Sequence, residues 1–149
     1  MIPLPEVASN ERLFMKLSGI YSVAKWDETT YRPDSDGMRF SKTSAKFAFE
    51  GDIEGFAFVE YLMFYSSFDA EDMHKSVAYY VGHLKIDGKV KGKAGSFVLA
   101  DSGTFDGGVA SSEVDIINGS GTGDLKGIVG LGTYQADAKG CRWELDVQF

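Results

Sequence analysis

The stretch that decides the fold is Ile53-Glu54-Gly55-Phe56-Ala57-Phe58-Val59-Glu60-Tyr61-Leu62-Met63-Phe64-Tyr65-Ser66. It contains no proline and is rich in aromatic and aliphatic residues, the composition of a strand. Successive side chains of a strand point to opposite sides. One side carries Ile53, Gly55, Ala57, Val59, Tyr61, Met63 and Tyr65, and the other Glu54, Phe56, Phe58, Glu60, Leu62 and Phe64. Both sides are apolar, so both call for cover. In an antiparallel sheet the second cover has to come from the N-terminal segment or another subunit. The last segment is simpler. Cys141, Trp143, Leu145, Val147 and Phe149 alternate with Arg142, Glu144, Asp146 and Gln148. That is one buried face and one wet one.

Working outward, turn residues divide the chain into strands. They are Ile20–Tyr31, Met38–Phe49, Ile53–Ser66, Ser76–Ile86, Val90–Ala100, Gly103–Ile117, Lys126–Ala136 and Cys141–Phe149. Between them lie an Arg32–Gly37 turn, Gly51-Asp52, an acidic loop Ser67–Lys75, an Asp87-Gly88 hairpin signal and a glycine-rich turn Asn118–Leu125. Eighteen glycines in 149 residues, fourteen of them after residue 80, fit many short strands and tight turns. Helical periodicity is confined to a short candidate, Glu6–Met15. Sequential strands with short connections are antiparallel neighbours in space. Eight of them avoid exposed edges by closing. The expectation is an all-β, closed antiparallel eight-stranded β-barrel, calycin-like, with at most one short helix. It forms a single domain, 1–149, with room for side chains or one small ligand.

Composition narrows the function. The net charge is −7, from 15 Lys plus Arg and 22 Asp plus Glu. That argues against nucleic acid or an anionic membrane surface as partner. A single cysteine, Cys141, rules out an internal disulfide. The first residues show no secretory signal and no apolar run reaches a membrane span, so the expected address is cytoplasmic.

No motif carries a cofactor or a metal. The glycine block Gly119–Gly127 lacks the P-loop order and is followed by a strand rather than a helix. Asp34-x-Asp36-Gly37 starts like a calcium loop, but Ala45 stands where the bidentate glutamate belongs. Asp69, Glu71 and Asp72 beside His74 read as a solvated loop, and His74 with His83 falls short of the four ligands of structural zinc. Cys141 reads as a small core residue beside Trp143. Glu60 stands out, a carboxylate between Phe58 and Leu62 on an apolar face. If that face is dry, the carboxylate has to be paired, hydrogen-bonded or protonated. It is either a structural partner of Arg39, Lys46 or a tyrosine, or a ligand-orienting group with Tyr61, Tyr80 and His83 near it.

Six blocks in order carry a family resemblance: Trp26-Asp27-Glu28, Gly51-Asp52-Ile53-Glu54-Gly55, Glu60-Tyr61-Leu62-Met63, Gly95-Ser96-Phe97, Gly103–Gly108 and Gly119–Gly127. Together they resemble the bacterial domain of unknown function 3224 family, from about Gly19 to Phe149. The resemblance implies a closed barrel similar to plant allene oxide cyclase and dirigent proteins. It implies no assigned activity, and no catalytic residue of the cyclase finds a match. Three functions stay open. The barrel holds a small apolar ligand near Glu60, Tyr61, Tyr80 and His83. It is an isomerase or cyclase using a buried carboxylate. Or it is a filled barrel with only an interaction role. The apolar outer face of the third strand points to a homo-dimer, with a trimer as the other closed assembly.

Overall fold

Buried and exposed residues alternate along the strands, as a half-buried sheet requires. The computed structural model describes residues 14–33 and 36–149. Its strands are β1 (Met15–Pro33), β2 (Arg39–Gly51), β3 (Ile53–Ser67), β4 (Val77–Val90), β5 (Lys93–Asp106), β6 (Val109–Ile116), β7 (Val129–Asp137) and β8 (Gly140–Gln148). Each pairs antiparallel with the next, and β1 also pairs with β8, which closes an eight-stranded barrel. About three quarters of the described residues are strand, and the helical elements are two 3-10 turns, Met73–Lys75 and Gly123–Leu125. The expected architecture is present. The helical candidate Glu6–Met15 lies mostly outside the described residues, and its last residue opens β1.

Two expected breaks between strands, Asp87-Gly88 and Asp101-Ser102, are strand interior instead. Asp87 and Gly88 pair with Ser96 and Gly95, and the chain reverses later, at Lys91-Gly92. Both residues there have positive φ, 51° and 84°, as a tight hairpin requires. A Cβ on Gly88 would lie 2.0 Å from the Glu54 carbonyl oxygen, so this glycine answers to close strand approach. Likewise Gly103 lies inside β5, which runs on to Asp106 before turning at Gly107-Gly108. At Gly88 a glycine demanded by space resembles one demanded by a turn.

The barrel interior has two unlike halves. At the end where β1 begins, Leu17, Ile53, Leu84, Ile86, Val90, Phe97 and Val147 are almost wholly buried. β6 is short, and the segment after it folds inward and sends Leu125 and Ile128 into this end. The backbone N–H groups of Ser96 and Val98 donate to the Thr122 and Ser120 hydroxyls and fasten it. Burying such side chains contributes roughly 1.5–3 kcal/mol each, an upper range. Among the described residues, the opposite half is lined by tyrosines and is open at its mouth.

Candidate functional site

Strand parity decides what reaches the open half. On β3 the inward set is Ala57, Val59, Tyr61, Met63 and Tyr65, and β4 sends in Ala78 and Tyr80. β5 contributes Asp101 and Gly103, β6 Ser112 and β7 Tyr134. On β1 the register shifts between Val23 and Lys25, leaving Ala24 as an extra residue. A bulge of this kind re-aims the strand. Tyr21 and Val23 face inward before it, and Trp26 and Glu28 after it, opposite Ala45 and Thr43.

Inward-facing glycines make room for the rings. A Cβ on Gly82 would meet Tyr61 Cδ1 at 2.7 Å, and one on Gly103 would meet the Tyr80 hydroxyl at 2.5 Å. Small and large residues thus alternate around the barrel, as filling a tapered interior demands.

The result is a cavity of about 300 Å³ lined by Tyr21, Phe47, Tyr61, Met63, Tyr65, Tyr80, Phe105 and Tyr134, with Val23, Trp26, Glu28 and Met73 among the remaining residues. Behind its floor sits Asp101, 4% exposed. Its Oδ2 accepts hydrogen bonds from the Tyr61 hydroxyl at 2.7 Å and from the Tyr134 hydroxyl, and the two phenols also touch each other. Its Oδ1 is buried without a well-formed partner. Burial raises the Asp101 pKa above 3.8, and hydrogen bonds from Tyr134, Tyr61 and, least, Ser112 pull it partly back. Burial likewise raises Tyr61 and Tyr134, with the Asp101 charge adding to it, and lifts Tyr80 to about 12. The phenols are therefore neutral donors at physiological pH.

At the mouth, Glu28 is held by three neutral donors. Ser41 Oγ and the Tyr65 hydroxyl each donate to Oε2 at 2.6 Å, and Trp26 Nε1 donates to Oε1 at 3.1 Å. The Trp26 ring lies 6.4 Å from that of Tyr61. Cys141 is half-buried beside the core and raises the pKa of Tyr21, secondary to burial. The acidic loop has a local use: Asp69 accepts the Glu71 and Asp72 backbone N–H groups, and Asp72 accepts that of His74.

The four residues singled out from sequence fall on opposite sides of the wall. Tyr61 and Tyr80 face the cavity. Glu60 and His83, paired across β3 and β4, face outward and are exposed. They border an outer furrow of about 680 Å³ with Lys42, Leu62 and Val81. The expected dry face of Glu60 is thus corrected. Its carboxylate takes the Ser44 hydroxyl at 2.9 and 2.7 Å. The expected partners are elsewhere: Lys46 lies over Phe56 at 4.3 Å, and Arg39 over Phe68 at 3.4 Å. Because both faces of β3 are apolar, composition does not tell inside from outside. Sequence reading missed Asp101 and Glu28. Asp101 follows Phe97 and Leu99 at strand spacing, a signal masked by ending one expected strand at Ala100 and starting the next at Gly103.

The model of the family described as "Protein of unknown function (DUF3224)" matches residues 17–149. The chain belongs to the DUF3224 family. A crystal structure of a DUF3224 protein of unknown function from Shewanella oneidensis MR-1 is similar, with a TM-score of 0.74 at 23% identity. The match covers 91% of this chain and 98% of that one, and it shows the fold. No curated protein matches the chain significantly. Among the described residues of this DUF3224 barrel, no helix is long and apolar enough to cross a membrane.

Proposed function

We propose that this barrel is a binding protein whose open end receives one small, mostly apolar molecule. One observation carries the reading: a cavity of about 300 Å³ lined by aromatic and aliphatic side chains, in a barrel whose other end is filled. Its size is at the lower end of ligand pockets, roughly 300–1,000 Å³. The same observation weighs against a filled barrel with only an interaction role. The chain has twenty aromatic residues, 7 Tyr, 11 Phe and 2 Trp, but Phe40, Phe56, Phe58 and Tyr79 are spent on the outside. The hydroxyls of Tyr61 and Tyr134 converge on a buried acceptor, which fixes the floor.

The enzyme alternative, an isomerase or cyclase, shifts its carboxylate from Glu60 to Asp101. It draws support from the barrel closure shared with the allene oxide cyclase and dirigent likeness that the family resemblance implies. Asp101 does not line the cavity, however, so a proton would have to pass through Tyr61 or Tyr134. No observation favours that route.

A second copy of the chain is the proposed partner, as a dimer. Phe40, Phe64 and Tyr79 form an outer row across β2, β3 and β4, with ring centroids 5.0 and 6.5 Å apart. Lys42, beside Leu62, borders it on the same outer face, with Glu60 one further step along β3, so both charge signs lie next to it, which suits a self-complementary contact.

The test is native mass spectrometry of the protein purified from its own host, beside Ala136→Phe, which fills the cavity. The expected result is a bound small mass on the wild type that Ala136→Phe loses while remaining folded. A wild-type barrel that leaves its host with no added mass, or a mass retained equally by Ala136→Phe, refutes the reading.

A further inference from the structure

Resting on that cavity, we infer that its ligand is an organic amine: a cationic ammonium head on an apolar body small enough for about 300 Å³. The charge of the lining carries the inference. Among the described residues that line the cavity, Glu28 alone bears a charge. Its three hydrogen-bond donors are neutral side chains, and none of the ion pairs among the described residues involves it. A carboxylate has about four acceptor positions. Ser41 and Tyr65 occupy those of Oε2, whereas Oε1 takes only Trp26 Nε1. One oxygen is therefore positioned with capacity left over.

The surroundings suit a cation and not an anion. Trp26, Tyr65 and Tyr61 are among the aromatic side chains that line the cavity, and tryptophan and tyrosine faces attract a cation within about 6 Å of the ring centre. The one cation felt at Tyr65 is Arg39. Its guanidinium lies on the Phe68 ring at 3.4 Å, its Nη1 donates to Thr30 at 3.4 Å, and it is outside the cavity lining. Asp101 behind the floor adds acidic character at the other end of the same space. An anionic head would meet Glu28 with no lining cation to offset it. An ammonium donates to Glu28 Oε1 with its apolar body against Phe47, Met63 and Phe105.

The experiment uses three probes of one shape: para-tert-butylbenzylammonium, para-tert-butylbenzyl alcohol and para-tert-butylbenzoate, titrated by calorimetry at pH 7. The wild type is expected to bind the ammonium roughly tenfold or more tighter than the alcohol, and the benzoate weakest. Glu28→Gln should bring the ammonium down to the alcohol's affinity and leave the alcohol unchanged. Should Glu28→Gln fail to fold, Trp26→Leu at the exposed rim serves, with the ammonium losing more affinity than the alcohol. Alcohol binding with no preference for the ammonium, a preference that survives Glu28→Gln, or tighter benzoate binding overturns the charge inference and leaves the cavity reading standing. Binding of none of the three overturns both.

Discussion

Replacing Asp101 by asparagine separates the cost of its charge from the use of its shape. The carboxylate is 4% exposed and its Oδ1 has no well-formed partner. Burial raises its pKa in the folded protein above the ordinary 3.8. A carboxyl group raised in this way stabilises the fold while it is protonated. That contribution is complete below about pH 3.8 and is lost as pH rises through the folded value. Within this window one group changes stability by up to about 1.4 kcal/mol per pH unit. In a chain of this size 1 kcal/mol moves the melting temperature by about 2–4 °C. The substituted amide would still accept from Tyr61 and Tyr134 and has no charge to desolvate. The expected outcome in melts from pH 4 to 8 is that Asp101→Asn equals or exceeds the wild type at pH 7, and that its stability lacks the decline assigned to Asp101. Asp101→Ala is the control. Tyr61 and Tyr134 keep each other as partners, but one hydroxyl loses its acceptor, at a cost of about 1–3 kcal/mol. An Asp101→Asn protein that melts several degrees below the wild type at pH 7, with an unchanged pH profile, refutes the argument.

Two further outcomes follow from the wall itself. Glu60→Gln on the outer face should change stability by no more than about 0.5 kcal/mol in a denaturant melt and leave the bound mass seen by native mass spectrometry intact; loss of that mass would return Glu60 to the site. Phe64→Ser in the outer aromatic row should move the sedimentation of the protein toward the 16.3 kDa chain, and equal sedimentation of the two proteins removes the proposed self-contact.

The fold was legible because its signal is repeated. Alternation in Cys141–Phe149, glycine and asparagine punctuation, and eight sequential strand-like segments all point to one closed antiparallel sheet. The site was legible only in part, for reasons of parity and spacing. β3 has apolar side chains on both faces, so the inward pair Tyr61 and Tyr80 and the outward pair Glu60 and His83 looked equally able to share one site. Glu28 owes its inward position to the extra residue Ala24, which local composition does not announce. Asp101 sits between Leu99 and Gly103 on a regular inward face, yet Asp-Ser-Gly carries the composition of a turn. The glycine that follows, Gly103, leaves room for the Tyr80 ring.

The division of the interior is what makes the polar floor informative. Leu17, Ile53, Leu84, Phe97, Leu125, Ile128 and Val147 already close one end. Eight ladders already fix the register, because a one-residue slip would turn the buried faces outward. A buried polar network is sometimes retained to specify a unique arrangement. Here the register and the apolar end supply that specification without it. Leucine or phenylalanine in the open half would bury apolar surface without the several-kilocalorie penalty of an imperfectly paired carboxylate. The barrel instead places tyrosines around Asp101, holds Glu28 with Ser41, Tyr65 and Trp26, and clears space with glycines. Groups that cost stability and are not needed for closure are where sequence and fold part company, and among the described residues Asp101 and Glu28 both belong to the open half.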